Sequence, residues 1–406
     1  MELKEGYKQT ELGLIPEDWD VKLFQEVMDG FSSGQTPYRE IKRYYTGEIP
    51  WITSGELNYN VINDTIEKIT IDAVKNTSLK IIPKGTFLIA ITGLEAAGTR
   101  GSCAITGIDS TTNQSCMALY PKPNKLTVSY LFQYYRKFGD KLAFEYCQGT
   151  KQQSYTGAIA KKLPIIVPGT IKEQTAIATA LSDADAYITS LEKLIEKKCQ
   201  IKQGAMQELL KPKDDWEAKT IGDIAYVISG GTPSSFISEF WNGDINWFTP
   251  TEIGDSKYSI ESIRKISKKG FENSSAKTLP IGTILLTSRA GIGDLSILKV
   301  EATTNQGFQS LVVKEGNYNE YVYYLMKTLK NELLNNSSGS TFLEISPSKI
   351  RAINIKIPDL KLQIEIAKIL SDIDIEIFAL EQKLKKANSI KQGMMQNLLT
   401  GKIRLV

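Results

Sequence analysis

The sequence predicts a mixed α/β (α+β) fold. Two similar globular units are separated by two long helices, which pair antiparallel as a coiled coil and give the chain an internal pseudo-two-fold axis. Three observations predict this fold. The 406-residue chain repeats its own motifs in order. Each half ends in a long run with apolar residues at helical spacing. The segments between these runs carry short apolar stretches opened by glycine, which are typical of strands.

The repeat keeps a constant register through the first part of each half. Three pairs of matching residues are each 196 positions apart: Pro37 and Pro233, Trp51 and Trp247, and Glu56 and Glu252. Near the end of each half the spacing falls to 189 positions, where residues 181–185 match 370–374 and residues 201–204 match 390–393. Surface loops of different length explain such a drift. A period this long predicts a duplicated domain with a connector and not a solenoid.

A long helix is predicted at the end of each half. Thr170 and Glu173 have the spacing of a capping box, so the first helix should begin there. The apolar seam of the first helix comprises Ile177, Leu181, Ala184, Ile188, Leu191, Ile195, Ala205 and Leu209. That of the second comprises Ile366, Leu370, Ile373, Ile377, Leu380, Leu384, Ala387, Met394 and Leu398. Steps of three and four residues are those of a coiled coil. Pro212 and Gly401 are predicted to end the two helices.

Each helix is about forty residues, roughly 60 Å, which is too long for one globular unit, so the two should pack on each other. Antiparallel pairing places the units at opposite ends, whereas parallel pairing would crowd them at one end. Lys202 and Lys391 interrupt the seam at equivalent positions. A lysine stem can lie along apolar surface with its charge in water. We therefore favour two tolerated surface lysines over a register or partner-docking role.

The globular segments show the same elements in both halves. Residues 85–90 and 282–287 are short apolar runs opened by glycine, which predicts strands. Residues 130–135 and 321–325 are rich in tyrosine and predict one helix in each unit. We expect these aromatic side chains to lie in the core and not to form a platform for stacking bases.

The composition disfavours hydrolases and zinc enzymes. The chain has no histidine, the usual general base and metal ligand, so we expect no catalytic residue and no metal site. The four cysteines include no Cys-x-x-Cys pair, and we interpret them as reduced thiols, mostly in the core. A net charge of +3 neither establishes nor excludes nucleic-acid binding. Charged residues interrupt the first fifteen positions, so we expect no signal or membrane anchor and a cytoplasmic location.

Polar, glycine-rich turns with basic and aromatic neighbours occur at matching places in both halves. Arginine, lysine, glutamine and hydroxyl side chains are those that bind base edges and phosphates. Considered alone, however, such turns are more often plain solvated loops.

Several motifs, in the same order in each half, carry a resemblance to a known family. They are the opening segment 7–19, the Gly-x-Thr-Pro turns, the polar loops leading to 163–168 and 355–358, and the helix segments with Glu173-Gln174, Leu181-Ser182-Asp183 and Leu370-Ser371-Asp372. In this order the chain resembles the specificity subunit of type I DNA restriction-modification enzymes over nearly its whole length. It has neither the Asn-Pro-Pro-Tyr/Phe signature of a methyltransferase nor a Gly-Lys-Ser/Thr phosphate loop.

The resemblance implies four segments. Residues 1–168 and 213–358 would be target recognition domains, each reading one half of a bipartite, asymmetric double-stranded DNA site. Residues 169–212 and 359–406 would be spacer helices that set the unread gap and dock two methyltransferase subunits. These partners would use S-adenosylmethionine to methylate adenine, and restriction subunits with a motor would use ATP and magnesium. The chain itself would be noncatalytic, without cofactor or membrane contact.

The resemblance also implies which residues bind. The candidate DNA-binding residues are Thr36, Tyr38, Arg39, Lys42, Arg43, Arg100, Lys151 and Gln152 in the first unit, and Ser234, Arg289, Ser340, Thr341 and Lys349 in the second. The partner-docking helices carry Leu181, Ile188, Leu191, Leu370, Ile377 and Leu380. Leu362 stands where the first helix has Glu173, so the two docking surfaces are expected to differ.

Two other functions remain open on the sequence. The chain could be a coiled-coil adaptor that joins two proteins without binding DNA, or a self-sufficient methyltransferase. The first would give no sequence-specific shift of duplex DNA in the presence of a methyltransferase partner. The second would require binding of S-adenosylmethionine by the chain alone.

Overall fold

A computed structural model describes residues 5–94, 99–149, 153–289, 291–339 and 343–405. The chain folds as two compact units, the first comprising Met1–Glu192 with Lys383–Val406 and the second Lys193–Gln382. Each long helix contributes one part to each unit. Both helices lie inside the segments predicted for them, while the division into four functional segments stays a prediction.

The first unit is built mainly of short strands. Its strands are β1 (Tyr7–Thr10), β2 (Gly13–Pro16), β3 (Asp20–Leu23), β4 (Met28–Ser33), β5 (Ile49–Ile52), β6 (Asn60–Ile62), β7 (Glu67–Ile69), β8 (Phe87–Ala90), β9 (Cys103–Thr106), β10 (Thr111–Thr112), β11 (Cys116–Pro121) and β12 (Pro164–Val167). Its helices are α1 (Phe24–Val27), α2 (Ile71–Lys75), α3 (Val128–Tyr146) and α4 (Gly157–Lys161), with 3-10 turns at Lys42–Tyr45 and Ser54–Glu56. The long helix α5 (Ile171–Leu209) begins here and continues into the second unit.

The second unit contains matching elements. Its strands are β13 (Glu217–Thr220), β14 (Ala225–Ser229), β15 (Trp241–Phe248), β16 (Tyr258–Ser259), β17 (Arg264–Ile266), β18 (Ile284–Leu286), β19 (Leu295–Leu298), β20 (Thr303–Thr304), β21 (Gln309–Val313) and β22 (Asn354–Ile357). Its helices are α6 (Ile221–Ile224), α7 (Lys268–Glu272), α8 (Asn319–Thr328), α9 (Lys330–Asn335) and α10 (Pro347–Arg351), with 3-10 turns at Ser238–Phe240 and Pro250–Glu252. The second long helix, α11 (Leu360–Leu398), begins here and continues into the first unit.

The two units share one sheet topology, which confirms the predicted duplication. A five-stranded sheet has the order β4-β11-β8-β9-β6 in the first unit and β14-β21-β18-β19-β16 in the second. A three-stranded sheet runs β10-β5-β7 and β20-β15-β17, and a two-stranded sheet pairs β3 with β12 and β13 with β22. The hairpin β1-β2 has no counterpart among the described strands of the second unit. At the corresponding place, before β13, the chain forms the end of α5.

The predicted strands and aromatic helices lie in the cores. The runs at 85–90 and 282–287 contain β8 and β18, whose residues are all buried. The tyrosines of 130–135 and 321–325 are also buried, which confirms that they are core residues. Phe87 of β8 meets Tyr135 of α3 edge to face, with ring centroids 5.7 Å apart. Burying one such ring stabilises the fold by about 1.5–3 kcal/mol, so packing of α3 on the sheet contributes a large share of core stability.

The long helices end as predicted, but the capping box is only half formed. Thr170 Oγ1 accepts a hydrogen bond from the backbone N–H of Glu173 at 3.1 Å. The carboxylate of Glu173 is used elsewhere in the unit. The first helix ends at Leu209, before Pro212, and the second at Leu398, before Gly401, which has a φ of 70°. Glycine reaches this left-handed conformation without a steric penalty.

The two long helices pair antiparallel, as predicted. In the first unit Asp185 of α5 forms an ion pair with Lys391 of α11. In the second unit Lys202 of α5 forms an ion pair with Asp374 of α11. Moving 17 residues forward along α5 therefore moves the partner 17 residues backward along α11. Opposite directions of advance define antiparallel helices.

These ion pairs also show that the prediction of two surface lysines was wrong. The side chain of Lys391 is 13% exposed and that of Lys202 is 20% exposed, and each binds an aspartate on the opposing helix. The acidic partners Asp185 and Asp374 belong to the repeated Leu-Ser-Asp-x-Asp segments. Helical spacing reveals which residues share a face but not which residue of another helix lies opposite, so the sequence alone did not reveal the pairing.

The first helical turn of α5 carries a buried acid that ties together distant parts of the first unit. Glu173 is 1% exposed and accepts a hydrogen bond from the indole Nε1 of Trp19 at 3.0 Å. Arg404 donates to the same carboxylate at 2.5 and 2.9 Å and to Asp18 at 2.7 and 2.8 Å. The guanidinium lowers the pKa of Asp18 and the two acids raise the pKa of Arg404. Glu173 is thus a structural residue in this unit.

The second unit lacks this arrangement. Trp216 occupies the place of Trp19, and Leu362 that of Glu173. The indole Nε1 of Trp216 is buried without a hydrogen-bond partner among the described residues. The difference between Glu173 and Leu362 therefore changes a buried contact, whereas the sequence suggested a difference between docking surfaces.

The four cysteines are free thiols, as predicted, but only two lie in the core. Cys103 and Cys116 are buried, and burial raises the pKa of both thiols. Cys147 is half-buried and Cys199 is exposed on α5, so the prediction of mostly core thiols was wrong for these two. Across the described segments, every helix is too short or too polar to span a bilayer.

Candidate nucleic-acid interface

Residues shared by both units brace the Gly-x-Thr-Pro turn from inside. Thr36 Oγ1 donates a hydrogen bond to the side-chain oxygen of Gln114, which belongs to the repeated Thr-Asn-Gln segment. The indole Nε1 of Trp51 donates to the carbonyl oxygen of Gln35 at 3.1 Å. The second unit repeats both bonds, from Thr232 to Gln306 and from Trp247 to Gly231. Thr36, a candidate DNA-binding residue, is therefore already engaged in holding its own turn.

A repeated glutamate holds the next turn in each unit. Glu56 Oε2 accepts from the backbone N–H of Thr53 at 2.8 Å, and Oε1 accepts from that of Ile66 at 2.9 Å. Glu252 makes the same two bonds, to Thr249 and Ile263. The residues common to both copies are thus used in scaffold bonds. Any difference in what the units recognise must come from exposed side chains that the copies do not share.

Exposed candidates of the first unit cluster directly after the Gly-x-Thr-Pro turn at 34–37. Tyr38 is 71% exposed, and Lys42 and Arg43 are exposed on the following 3-10 turn. The guanidinium of Arg43 lies 6.0 Å from the ring centroid of Tyr44, which is buried and anchors the turn. The fold therefore brings two cationic side chains and one aromatic ring to the same exposed loop.

Arg39 lies in the same loop but is held in place. Its guanidinium donates to both oxygens of Glu67, at 2.5 and 2.8 Å, and lies 4.4 Å from the ring centroid of Tyr45 and 5.0 Å from that of Trp51. The carboxylate raises the pKa of Arg39, and the guanidinium lowers the pKa of Glu67. With its side chain 53% exposed, Arg39 is pre-positioned on a rigid platform.

Arg100 belongs to a different loop, between β8 and β9. Its Nε donates to Asp140 of α3 at 2.7 Å, and its guanidinium lies 5.8 Å from the exposed ring of Phe144. The backbone N–H of Leu94 in this loop donates to the carbonyl oxygen of Gln153 at 3.1 Å. The chain that follows β8 is therefore joined through Leu94 to Gln153, which follows the predicted residues Lys151 and Gln152 in the sequence.

The three described candidates of the second unit lie on three elements. Ser234 is exposed in the Gly-x-Thr-Pro turn, where its carbonyl oxygen accepts from the indole of Trp241 at 3.1 Å. Arg289 follows β18, is half-buried and pairs along the backbone with Glu344. Lys349 is exposed on α10. The remaining predicted residues, Lys151, Gln152, Ser340 and Thr341, lie outside the described residues.

Sequence reasoning missed two residues of the second unit. Phe236 is 97% exposed, in a loop that is fixed by the buried Phe240 and by the indole of Trp241. Arg264 of β17 lies 3.8 Å from the ring centroid of Trp241 and 5.3 Å from that of Trp247. A lone aromatic within a serine-rich turn is a weak sequence signal for Phe236. Nothing in the local sequence indicated Arg264, because its stacking depends on strand pairing.

Both units place an arginine on the repeated tryptophan but take it from different elements. In the first unit Arg39 comes from the turn and is held by Glu67 of β7. In the second unit the strand position that corresponds to Glu67 is itself the arginine, Arg264 of β17. Both units therefore have an arginine over the repeated tryptophan, while the exposed side chains around it differ between the units.

The candidate docking residues are buried or half-buried, and Leu181 and Leu370 belong to the cores of the two units. Leu181, Ile188, Leu191, Leu370 and Ile377 are at most 9% exposed, and Leu380 is half-buried. The exposed apolar residues of the two helices are Tyr187, Leu194, Ile201, Leu360, Ile364, Ile369, Ile375, Phe378 and Ile390, each at least 40% exposed. A protein that binds the intact helix pair would contact these exposed residues and not the buried ones.

The Gly-x-Thr-Pro turn requires glycine at its first position. A Cβ on Gly34 would lie 1.9 Å from the carbonyl oxygen of Thr112, so Gly34→Ala must displace the backbone of β10. We expect a loss of about 1–3 kcal/mol in the free energy of unfolding, measured by urea denaturation. Gly55→Ala is the control, because a Cβ there has no neighbour within 4 Å. Equal stability of the two variants would contradict this account of the turn.

Two copies of one scaffold, which present different side chains from the same loops, define a protein with two related recognition modules. Residues 16–203 and 213–392 match the family described as the type I restriction modification DNA specificity domain. These matches cover most of the 406 residues, and the chain belongs to this family.

Individual relatives agree with the family. The chain is 43% identical over 191 residues to the type I restriction enzyme MjaIX specificity subunit of Methanocaldococcus jannaschii, a match covering 46% of this chain and 43% of that protein. It is 26% identical over 427 residues to a putative type I restriction enzyme MjaX specificity subunit of the same organism, covering 99% of this chain and 97% of that one. The crystal structure of a type I restriction-modification S subunit from M. genitalium has the same fold, with a TM-score of 0.60, 16% identity and 98% coverage of each chain.

Proposed function

We propose that this chain supplies DNA sequence specificity to a type I restriction-modification complex, with each unit reading one half of a bipartite, asymmetric site. The observation that supports this most directly is the duplicated scaffold with unlike exposed loops. The bonds from Thr36, Trp51 and Glu56 recur in the second unit, while the exposed neighbours differ. Identical modules would read a symmetric site, whereas modules with different exposed side chains read an asymmetric one.

In this proposal phosphate contacts position the protein and a few side chains read base edges. Lys42 and Arg43 are suited to phosphates, because they are exposed and have no ion pair within the described residues. Arg39 and Arg264 are suited to bases, because stacking on tryptophan fixes the guanidinium before binding. Lys151, Gln152, Ser340 and Thr341 keep their predicted role in DNA binding.

The catalytic steps are assigned to partners. Two methyltransferase subunits would bring S-adenosylmethionine and methylate adenine, and restriction subunits would bring ATP and magnesium. The exposed apolar residues of α5 and α11, including Tyr187, Ile201, Ile375 and Phe378, are the proposed docking surface. The absence of histidine from the sequence supports a noncatalytic role. We place the chain in the cytoplasm, because its proposed DNA target lies there.

Methylation sequencing of the host, with and without this gene, tests the proposal. We expect one split motif with an unread gap of fixed length to lose its modification when the gene is deleted. The coiled-coil adaptor predicts no gene-dependent split motif. A continuous palindromic motif would also contradict the proposal, because it requires two identical reading modules.

Variants of the second unit should affect one half-site. We expect Phe236→Ala and Arg264→Ala to weaken binding of the complex to its DNA by about ten- to a hundredfold, because single base contacts contribute on the order of 1–3 kcal/mol. Ile281→Ala is the matched control, because Ile281 is an exposed apolar residue on the turn before β18. Binding is measured by mobility shift with the methyltransferase partner present. Equal loss for DNA altered in either half-site would contradict the assignment of these residues to one half.

A further inference from the structure

The two lysines of the seam, Lys391 and Lys202, each belong to a cluster of polar contacts that includes a helix of the globular unit. In the first unit the carboxylate of Asp185 lies between Lys391 of α11 and Arg136 of α3. Arg136 donates to Asp185 at 2.5 Å through Nη1 and at 3.4 Å through Nη2. The side chains of Lys391, Arg136 and Asp185 are 13%, 17% and 30% exposed. Three helices therefore meet at one half-buried carboxylate: α3 of the globular unit and the two long helices α5 and α11.

The second unit builds the same junction from different residues. Asp374 of α11 pairs with Lys202 of α5 and accepts a hydrogen bond from the hydroxyl of Tyr324 of α8 at 2.5 Å. Lys257 Nζ donates to Ser371, which precedes Asp374 by one helical turn, at 2.6 Å, and to the hydroxyl of Tyr324 at 3.0 Å. Glu320 accepts from Lys257 at 3.0 Å. Both units thus share an aspartate on one long helix that pairs with a lysine on the other long helix.

An apolar seam alone specifies register weakly. Leucine and isoleucine recur along α5 and α11 with coiled-coil spacing, so a shift by one heptad brings similar side chains together again. A shift by one heptad takes both lysines away from their aspartates. In one direction Lys391 and Lys202 would face Ala178 and Ala367, which are apolar. In the other direction they would face Glu192 and Glu381, neither of which bonds to a helix of the globular unit among the described residues, as Asp185 and Asp374 do. One polar pair within an apolar seam can therefore select a single register, even where it lowers stability.

We propose that Lys391 with Asp185, and Lys202 with Asp374, are positioning residues that select the register of the helix pair and thereby fix the length of the unread DNA gap. This inference rests on the proposed function. The two pairs give the same antiparallel register, one in each unit. In both units the same carboxylate is also bound by the recognition unit's helix, so the register is linked to the position of the reading module.

The test replaces both lysines by leucine, the residue that an uninterrupted seam would carry. Asp185 keeps Arg136 and Asp374 keeps Tyr324 in this variant, so neither carboxylate is left without a partner. Methylation sequencing is expected to reveal split motifs with the wild-type half-sites but additional gap lengths. Unfolding in urea is expected to show lower stability, because Asp185 and Asp374 each lose the lysine countercharge. A pair that serves stability alone would also lower stability but would leave the gap unchanged, so the gap lengths decide between the two roles.

Two further variants make the comparison specific. Lys197→Leu with Lys386→Leu removes two exposed lysines at equivalent positions and should leave the gap unchanged. Lys202→Arg with Lys391→Arg keeps both charges and should retain one gap length. Additional gap lengths in either control, or a single gap length in the leucine variant, would overturn the proposal.

A second readout uses the purified chain without DNA. Cysteines are placed at Lys198 and Glu376, whose side chains form an ion pair at 2.5 Å, to report the native register. Cysteines at Lys198 and Ile369, or at Lys198 and Lys383, report a shift by one heptad in either direction. Cys147 and Cys199 are replaced by serine in all of these variants to remove the thiols that lie outside the core.

A short bismaleimide should join the native pair in the otherwise unchanged chain. In the leucine variant we expect crosslinking of the shifted pairs to rise roughly tenfold. No rise would overturn the register role even if the complex failed to assemble. If the unaltered chain gave no split motif in methylation sequencing, the proposed function would fail while the crosslinks still decided the register.

Discussion

Replacing Arg404 by methionine is expected to lower the free energy of unfolding by about 3–5 kcal/mol, because a buried carboxylate then loses its countercharge. Glu173 is 1% exposed and receives two hydrogen bonds from Arg404, leaving only the indole of Trp19 in the variant. The measurement is urea denaturation of the purified chain. Lys402→Met is the matched control, because the exposed side chain of Lys402 makes no ion pair within the described residues.

The duplication supplies a sharper control for this prediction. The second unit has Leu362 at the place of Glu173, and it tolerates a buried indole N–H without a partner at Trp216. The double variant Glu173→Leu with Arg404→Leu should therefore recover most of the stability lost by Arg404→Met, since replacing both members of a buried pair by apolar residues is often neutral. A double variant less stable than Arg404→Met would show that the buried ion pair itself is required.

Lengthening both long helices by one heptad should lengthen the unread DNA gap by roughly three base pairs, since seven residues add about 10.5 Å and each base pair takes about 3.4 Å. The insertions duplicate residues 192–198 after Leu191 and residues 381–387 after Leu380, which are equivalent positions in the two helices. A heptad preserves the apolar seam. Methylation sequencing measures the gap, and the half-sites should be unchanged.

Inserting the heptad into α5 alone is expected to behave differently. Asp185 and Lys202 would then be seven residues further apart on α5, while Lys391 and Asp374 would keep their spacing on α11. Only one of the two ion pairs could then form, so we expect this variant to be less stable than the paired insertion by about 3–5 kcal/mol. An unchanged gap with the paired insertion would rule out the helices as the element that sets it.

The fold could be predicted from the sequence wherever the information was periodic or repeated. The duplication, the two long helices, the glycine-opened strands β8 and β18 and the buried tyrosines of α3 and α8 all follow from spacing along the chain. Hydrophobic burial depends on which face a residue occupies, and that face can be read from local periodicity.

The candidate interface was predictable only in part. The repeated turns lie in exposed loops, where Tyr38, Lys42 and Arg43 of the first unit are exposed, and their role in binding stays a prediction. The ion pair that holds Arg39 in place was not predictable. Its partner Glu67 is 28 residues away and comes close only because β5 pairs with β7. The stacking of Arg264 on Trp241 escaped prediction for the same reason.

The sequence by itself determined that this chain is a duplicated protein with two long helices, because repeats and helical spacing are properties of the order of residues. Only the tertiary structure decided which charged residues meet. It placed Glu173 against Arg404 and each seam lysine against an aspartate of the other helix. These partners are about 170 to 230 positions apart, where local propensity carries no information and only the packing of helices and sheets brings charges within reach of each other.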